Sequence, residues 1–507
     1  MYIYLHYYLL YVFYFSHSSN SVARRRVVKC ANTCFTDTRI VTEYIKMTNS
    51  YKEVPKEMEC ESVDEIDEDM AESESEEEDS AESEEGTEKE NKSEVYLPGR
   101  PLKSNEELVV DKTAYKMLHH AESGAPCLSF DVILDRLGDN RENYPLDMFL
   151  IAGTQAASAH VNNVLVMRMK NLRGVEEDED EEDSDDELED NENLPIMSVA
   201  PIRHQGCVNR IRYTTVGETS IAASWSELGR VHIWNLEEQL KALENDELLR
   251  SYRKKAERSD GGGLKPLFSF KGHLSEGYGL DWCTTEAGTL ASGDCKGNIH
   301  IWRLDNSGST WHVDQRPYNT HAPHSVEDIQ WSPNERHVLA SCSVDKSIKI
   351  WDTRASPQSA CMLSVSGTHT ADINVISWNR KENQFLVSGG DDGLICVWDL
   401  RQFASNDSTP LAKFKQHMAP VTTVEWHPQE ATVFASGGAD DQIAQWDLSV
   451  EADRSEEAEE IKNLPPQLLF IHQGQTDIKE LHWHPQCPGV VISTAHSGFN
   501  VFRTISI

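Results

Sequence analysis

Histidine, serine and aspartate, the residue types of a hydrolase triad, recur at fixed spacing in this chain. In three places a serine is followed four residues later by an aspartate and six residues after that by a tryptophan. In two of them a histidine lies 29 residues before the tryptophan. Within one site, such a set could activate a nucleophile. The residues are Ser341, Asp345 and Trp351; His369, Ser388, Asp392 and Trp398; and His417, Ser436, Asp440 and Trp446.

Repetition argues against catalysis, because an active site is not built several times at a constant interval. Four tryptophans lie at positions 302, 351, 398 and 446, in steps of 49, 47 and 48 residues. Each ends a short apolar strand, as in "SIKIWDT" and "LICVWDL". A period in the forties with four short strands per unit is typical of WD-repeat β-propellers. In those proteins a His–Ser–Asp–Trp tetrad satisfies buried polar groups within a blade, and this structural role is predicted for the residues above.

Counting units predicts an all-β, seven-bladed propeller over residues 125–507, with a short N-terminal helix and disordered acidic segments. The first blade is degenerate, with four strands between Cys127 and Ile202. Lys296, Leu228 and His496 stand where other blades would carry the tetrad aspartate, so those blades should be less rigid.

The last blade lacks a fourth strand after "NVFRT", and an open sheet edge would favour unwanted pairing. Residues 94–124 are therefore predicted to supply both a closing strand and a helix. "EVYLPG" (Glu94–Gly99) is the candidate strand. The helix is predicted from Asp111 as cap to Gly124 as terminator, with Ala114, Met117, Leu118 and Ala121 on one stripe.

Three insertions interrupt the strand pattern: an acidic segment (175–193), a helical segment with a basic end (237–263) and an acidic Pro-Pro loop (451–467). The first holds fourteen carboxylates between Glu176 and Glu192, and a second acidic tract between Glu57 and Glu90 holds nineteen. Without both tracts the net charge is −6 rather than −38. Residues 47–93 and the tract are expected to be disordered, because such runs bury no apolar area and repel themselves.

A tract of this kind is either a solubilising spacer or a docking site for a basic protein; phosphates would be repelled, so direct nucleic-acid binding through it is not expected. The candidate partner-binding acids in the first insertion are Glu176, Glu177, Asp178, Glu179, Asp180, Glu181, Glu182, Asp183, Asp185, Asp186 and Glu187. Ser73, Ser75 and Ser184 each precede an acid by three residues, a pattern suited to acidophilic kinases, although spacer serines would look the same.

The other features bound the class of protein. Eleven cysteines without a CxxC pair favour a reducing compartment over a disulfide framework or zinc site. Residues 1–46 begin with an apolar run shorter than a membrane helix, and they are interpreted as a non-native or disordered extension before Met47. There is no P-loop, HExxH or GxSxG motif. The sequence therefore predicts no enzyme activity, catalytic residue, metal, cofactor or membrane contact.

The acidic tracts, the weak first blade beginning "GAPCLSFDVI", and "YLPG" upstream resemble the glutamate-rich WD-repeat proteins over Met47–Ile507. The resemblance implies a nuclear, mainly nucleolar protein with some in the cytoplasm, which acts in large-ribosomal-subunit assembly. It further implies a chaperone for one newly made basic ribosomal protein, with pre-ribosomal particles as partners. Core histones are the alternative client, because histone binding is attributed to animal members.

"PPQLLFIHQG" after a Glu-rich loop is similar to a segment of the histone-binding WD-repeat proteins, where this loop and an N-terminal helix form a groove for a basic helix. The resemblance implies contacts from both elements, with a simple blade-closing loop as the alternative. The matching residues are Glu456, Glu457, Glu459, Glu460, Pro465, Pro466 and Leu468, beside Tyr115 and Leu118.

A rival interpretation is a substrate receptor of a cullin ubiquitin ligase. "WDTR" (Trp351–Arg354) and "WDLR" (Trp398–Arg401) match the WDxR pattern of propellers that dock to a cullin-ligase adaptor. Arginine after Trp-Asp is also common in ordinary repeats.

Overall fold

The computed structural model describes residues 45–46, 109–158, 161–175, 194–258, 264–404, 409–451 and 464–507. Seven antiparallel sheets stand in a ring, which confirms the predicted seven-bladed propeller. The innermost strands of successive blades contact each other in turn, and the innermost strand of the last blade contacts that of the first.

Two strands precede the first blade, namely β1 (Ile45–Lys46) and β2 (Tyr115–Ala121). Blade 1 comprises β3 (Cys127–Ile133), β4 (Leu146–Thr154), β5 (Asn163–Leu172) and β6 (Ile196–Arg203), with β1 paired to β6. Blade 2 comprises β7 (Val208–Val216), β8 (Thr219–Ser226), β9 (Arg230–Asn235) and β10 (Phe268–Phe270). Helices α1 (Glu237–Ala242) and α2 (Asp246–Arg258) lie between β9 and β10 in sequence.

The next two blades are more uniform. Blade 3 comprises β11 (Gly279–Trp282), β12 (Leu290–Gly293), β13 (Ile299–Leu304) and β14 (Trp311–Val313). Blade 4 comprises β15 (Val326–Trp331), β16 (Val338–Ser343), β17 (Ser347–Asp352) and β18 (Cys361–Ser366).

Three blades complete the ring. Blade 5 comprises β19 (Ile373–Trp378), β20 (Phe385–Gly390), β21 (Ile395–Asp399) and β22 (Ala412–Phe414). Blade 6 comprises β23 (Val421–Trp426), β24 (Val433–Gly438), β25 (Ile443–Asp447) and β26 (Leu468–His472). Blade 7 comprises β27 (Ile478–Trp483), β28 (Val490–Ala495), β29 (Gly498–Thr504) and β2.

The core lies between the blades rather than within one centre. Seven apolar clusters each join side chains of two neighbouring sheets, so every blade depends on both neighbours for burial. Strands with small and β-branched residues on both faces suit this arrangement, because both faces of each sheet are covered.

Closure of the ring differs from the prediction. The fourth strand of blade 7 is β2, which pairs antiparallel with β29, from Tyr115 opposite Thr504 to Ala121 opposite Phe499. The predicted helix over 111–124 is therefore wrong: Asp111 caps a single 3-10 turn, and the chain then extends. The stripe of Ala114, Met117, Leu118 and Ala121 also fits a strand, because positions 115, 117, 119 and 121 alternate with more exposed ones. The candidate strand 94–99 lies outside the described residues, and β2 occupies its predicted place.

The connections of the propeller leave from two faces. Because the strands of a blade are antiparallel, the connections from third to fourth strand all emerge on the same face, together with those from first to second strand. All three predicted insertions join a third strand to a fourth, in blades 1, 2 and 6. We call this side the insertion face; β2 also begins there, because Tyr115 lies opposite Thr504 at the end of β29.

Candidate functional site

An apolar strip lies on the insertion side, at the outer edge of blades 6 and 7. Every residue from Leu464 to Ile471 is half-buried, so β26 exposes part of its apolar side chains. Beside it, a second set of half-buried side chains packs on the core cluster of blades 6 and 7. These residues are Val110, Ala114, Leu118, Val175, Phe470 and Ile507. We call the two sets together the apolar strip.

Tyr115 joins the two halves of the strip from beneath. Its ring is 8% exposed and meets Phe470 edge-to-face, with centroids 5.4 Å apart. Its hydroxyl lies 2.8 Å from His472 Nδ1, and Asn500 Nδ2 donates to His472 Nε2 at 3.0 Å. Burial lowers the pKa of His472 to about 3, so the ring is neutral and can accept that bond. Tyr115 therefore positions β2 against β26, while Leu118 remains half-buried at the surface.

The acidic tract of blade 1 begins beside this strip. The Val175 amide donates to the Lys116 carbonyl at 3.0 Å, which attaches the chain to the outer edge of β2. His119 is buried, and its Nε2 lies 2.8 Å from the Arg173 carbonyl oxygen. Burial lowers the pKa of His119, so the neutral ring donates its Nε2–H there. At the other end of the tract, Asn171 Nδ2 donates to the Leu194 carbonyl at 3.3 Å.

The Pro-Pro loop returns to the same strip. The Leu468 amide donates to the Pro465 carbonyl at 3.0 Å, and Gln467 Nε2 donates to the Val450 carbonyl at 3.1 Å. These bonds hold half-buried Pro465 and Pro466 at the entrance to β26. Two acidic insertions that are about 280 residues apart in sequence are thus anchored beside one apolar surface.

The helical insertion covers the outer edge of blade 1. The Tyr252 hydroxyl donates to the Pro201 carbonyl at 2.7 Å, and Arg253 Nη2 donates to the Val199 carbonyl at 2.9 Å, both on β6. Leu249 is buried in the cluster of blades 1 and 2. The helices therefore protect an exposed strand edge, and they leave Arg250 and Lys254 at the surface.

The triad-like residues are brought together inside single blades. In blade 5, His369 Nε2 lies 2.9 Å from Ser388 Oγ and 3.1 Å separates His369 Nδ1 from Asp392 Oδ1. Trp398 Nε1 donates to the same serine oxygen at 2.8 Å. Blade 6 repeats this geometry with His417, Ser436, Asp440 and Trp446. A serine oxygen that accepts from a buried indole is tied into the core, so this is a structural arrangement rather than a nucleophile.

Two more tetrads were missed by sequence spacing. In blade 4, His321 completes the set of Ser341, Asp345 and Trp351, but it lies 30 rather than 29 residues before the tryptophan. In blade 3, Asp294 provides the carboxylate to His273, two residues after Ser292 instead of four. The prediction that Lys296 leaves this blade without a tetrad aspartate is therefore wrong.

The two WDxR arginines lie on the insertion face. Arg354 and Arg401 each bind the aspartate of their own Trp-Asp pair, with Nη2–Oδ2 distances of 2.6 Å to Asp352 and to Asp399. Both arginine side chains are about two-thirds exposed, so the guanidinium groups are held in place at the surface.

Several predicted site residues lie outside the described part of the chain. They are Glu176–Glu187 of the tract, Glu456, Glu457, Glu459 and Glu460 of the Pro-Pro loop, and Ser73, Ser75 and Ser184. Within the described part, no three His, Cys, Asp or Glu side chains are grouped so as to hold a metal ion. In the same residues, no helix is long and apolar enough to cross a membrane.

Comparisons with known proteins agree with this architecture. The family model "WD domain, G-beta repeat" matches residues 315–352, 360–399 and 408–447. A second family model, which describes the "Histone-binding protein RBBP4" and its counterpart in the CAF1 complex, matches residues 105–173. That match includes β2 and most of blade 1.

Three relatives are similar over most of their length. "Ribosome assembly protein rrb1" of Schizosaccharomyces pombe is 39% identical over 81% of this chain and 84% of its own. "Protein HEAT STRESS TOLERANT DWD 1" of Arabidopsis thaliana is 40% identical over 82% and 92%. "Glutamate-rich WD repeat-containing protein 1" of Dictyostelium discoideum is 42% identical over 80% and 83%. With this identity and coverage, the chain belongs to the family of glutamate-rich WD-repeat-containing proteins.

Proposed function

We propose that this protein is a non-enzymatic binding scaffold and chaperone in large-ribosomal-subunit biogenesis, which shields a newly made basic ribosomal protein. The carrying observation is that both acidic insertions are anchored beside the apolar strip on the insertion side. The relative named a ribosome assembly protein supports the pathway. The proposal places the protein in the nucleus and nucleolus, with a fraction in the cytoplasm, in contact with pre-ribosomal particles.

The physical division of labour is between charge and shape. A ribosomal protein before assembly carries unpaired Lys and Arg, and flexible carboxylates tethered near the binding surface meet them at high effective concentration. Peripheral charges mostly raise the association rate and salt sensitivity, whereas apolar contacts govern the dissociation rate. The tract therefore stands in for RNA phosphates, and RNA can displace it during assembly because its contacts are reversible.

The experiment separates these two contributions. The full chain is tagged, purified from cells at moderate salt, and its stoichiometric partners are identified by mass spectrometry. One variant replaces every Glu and Asp between 176 and 192 by Gln and Asn, which keeps the length and removes the charge. A second variant, Leu118→Glu, alters the apolar strip and is first checked for an unchanged unfolding midpoint.

We expect one large-subunit ribosomal protein in near-equal amount. The neutral tract should lower its association rate and flatten the salt dependence, and Leu118→Glu should raise its dissociation rate about tenfold. A client that is lost equally with an exposed-surface control, Leu411→Glu, would contradict the role of the strip.

Core histones are the alternative client, and a specific observation favours them. The histone-binding family model covers β2, the strand that forms one side of the apolar strip. Recovery of histones in place of a ribosomal protein would move the proposal to a histone chaperone with the same binding surface.

A cullin-ligase adaptor is the outcome that would remove the main proposal. The surface positions of Arg354 and Arg401 leave their guanidinium groups accessible to an adaptor. Adaptor recovery that is abolished by Arg354→Ala and Arg401→Ala, with no basic client present, would favour a ligase receptor.

A further inference from the structure

Two leucines and a valine are exposed on three neighbouring loops of the face opposite the insertions. Leu274 is 76% exposed after β10, Leu228 is 52% exposed in the turn after β8, and Val161 is 49% exposed before β5. We call these residues the leucine cluster. Large apolar side chains on consecutive loops are unusual on a soluble surface and commonly mark a binding site.

The three loops form one continuous surface. The backbone of Gly229 approaches that of Ser275 so closely that a Cβ at position 229 would lie 3.2 Å from the Ser275 carbonyl oxygen. The Leu228 side chain rests against Gly206, and the Glu227 amide donates to the Cys207 carbonyl at 3.0 Å. Cys207 Sγ in turn lies 3.6 Å from Asn162 Nδ2, next to Val161.

The fold does not require an apolar residue at Leu228. It lies four residues after Ser224, the position at which blades 4, 5 and 6 carry the aspartate that binds the tetrad histidine. In blade 2, His204 Nδ1 bonds instead to the Gly206 carbonyl oxygen at 2.9 Å. The blade has thus given up a structural carboxylate and presents a leucine to solvent at that place.

Cations surround the leucine cluster. Arg203, Lys271 and Lys296 are exposed and Arg230 is half-buried, and none of the four forms an ion pair with a described residue. The two carboxylates of these loops, Glu227 and Glu276, are half-buried, and Glu276 accepts a bond from Asn209 Nδ2 at 3.1 Å. We call the four cations the basic rim.

The local field is positive, in contrast to the acidic chain as a whole. His232 lies beneath this region, and burial, with His204, Arg230 and Lys271 adding to it, lowers its pKa to about 4. A free, positively charged rim around an apolar centre is complementary to an acidic segment that carries a large apolar side chain, and it repels a basic one.

We propose that the leucine cluster and its basic rim form a docking site for an acidic peptide segment of a partner protein, with a Leu, Ile or Phe that seats on Leu228 and Leu274. This site is independent of the proposed client function, because it lies on the other face and selects the opposite charge. The protein would then bind a basic client on one face and an acidic partner on the other.

The test is a selection with a random twelve-residue peptide library displayed on phage, against the immobilised full chain in about 0.1 M salt. The variant Leu228→Asp removes the apolar centre while restoring the residue type that regular blades carry, so it should fold with an equal or higher unfolding midpoint. Lys271→Glu reverses one rim charge. Met418→Asp, at a 76% exposed site on the same face of blade 6, is the matched control.

We expect enriched peptides with several Asp or Glu residues around one large apolar residue. By fluorescence anisotropy, the most enriched acidic peptide should lose at least tenfold in affinity with Leu228→Asp and with Lys271→Glu, and less than twofold with Met418→Asp. The proposal is overturned if no acidic peptide is enriched, or if those that are enriched bind Leu228→Asp as well as the unmodified chain.

Discussion

Blades 4, 5 and 6 and the blades around the ring closure, 7, 1 and 2, use different polar contacts for stability. In the first group a His–Ser–Asp–Trp tetrad satisfies polar groups within each sheet. In the second group, Glu480 of blade 7 binds Arg210 Nη1 at 2.7 Å and Arg212 Nη2 at 2.8 Å, both from blade 2. The same carboxylate accepts from the Phe130 amide of blade 1 at 2.8 Å.

The difference shows how a repeat fold accommodates insertions. Blades 1 and 2 carry the acidic tract and the helices, and blade 2 carries the exposed Leu228. These blades have lost the tetrad carboxylate, and a buried charge network now ties them to blade 7 across the inner strands. Regular blades are stabilised individually, whereas the closure region is stabilised as a group of three.

The largest test of this comparison is Glu480→Gln. Burial alone would raise the pKa of Glu480, but Arg212, His482 and Arg210 together hold it well below its usual range, so the residue is ionised. Neutralising it leaves two largely buried guanidinium groups without their partner, which should cost about 3–5 kcal/mol. Urea unfolding measures this, with the exposed Glu335→Gln as control; a cost below about 1 kcal/mol would contradict the grouped stabilisation.

A smaller effect is expected for one regular blade. Ser388→Ala removes the common partner of His369 and Trp398, and it leaves two buried polar groups unsatisfied. The free energy of unfolding should fall by about 2–3 kcal/mol. Ser364→Ala, on the exposed side of β18, should change it little. Equal effects of the two substitutions in urea unfolding would argue that the tetrad carries no stability.

The smallest effect is a difference in pH response. Burial alone would lower the pKa of His482, but the surrounding Glu425 and Glu480 raise it to about 10. The Phe130 ring, 4.8 Å away, and Arg212, which shares Glu480, also lie close. Because the folded state holds the proton more tightly, the stabilisation is complete below pH 6.5 and is lost as the pH rises towards 10.

Tetrad histidines respond in the opposite direction. Burial lowers the pKa of His369, so its contribution is present above pH 6.5 and is lost as the pH falls. Between about pH 6.5 and 8, His482→Gln should remove up to about 1.4 kcal/mol per pH unit of the loss seen in the unmodified chain. Unfolding midpoints at the two pH values measure this, and exposed His312→Gln should leave the slope unchanged.

The sequence could predict the features that recur and could not predict those that join distant segments. Ser388, Asp392 and Trp398 were found because their spacing repeats in the next blade. Asp294 and His321 were missed because each departs from that spacing by one or two residues. The pairing of Glu480 with Arg210 joins residues 270 positions apart, and no local pattern signals it.

The candidate site follows the same rule. Pro465, Pro466 and Leu468 were identified from a family resemblance, and their half-buried positions agree with a surface role. Tyr115 was expected at the surface and is instead buried, because the stretch from 115 to 121 satisfies both a helical and an alternating pattern. Choosing between the two requires knowing that β29 needs a fourth strand at that place.

The closing strand β2 has a consequence for synthesis of the protein. Ala121 leaves the ribosome 377 residues before Gly498, the first residue of its partner strand. At about 5–20 residues per second, β2 waits roughly 20–80 s before its hydrogen-bonding edge can be paired. During that interval Tyr115 and Met117 have no core to enter, so a nascent chain should need a temporary cover for this segment, and folding should finish in one late step.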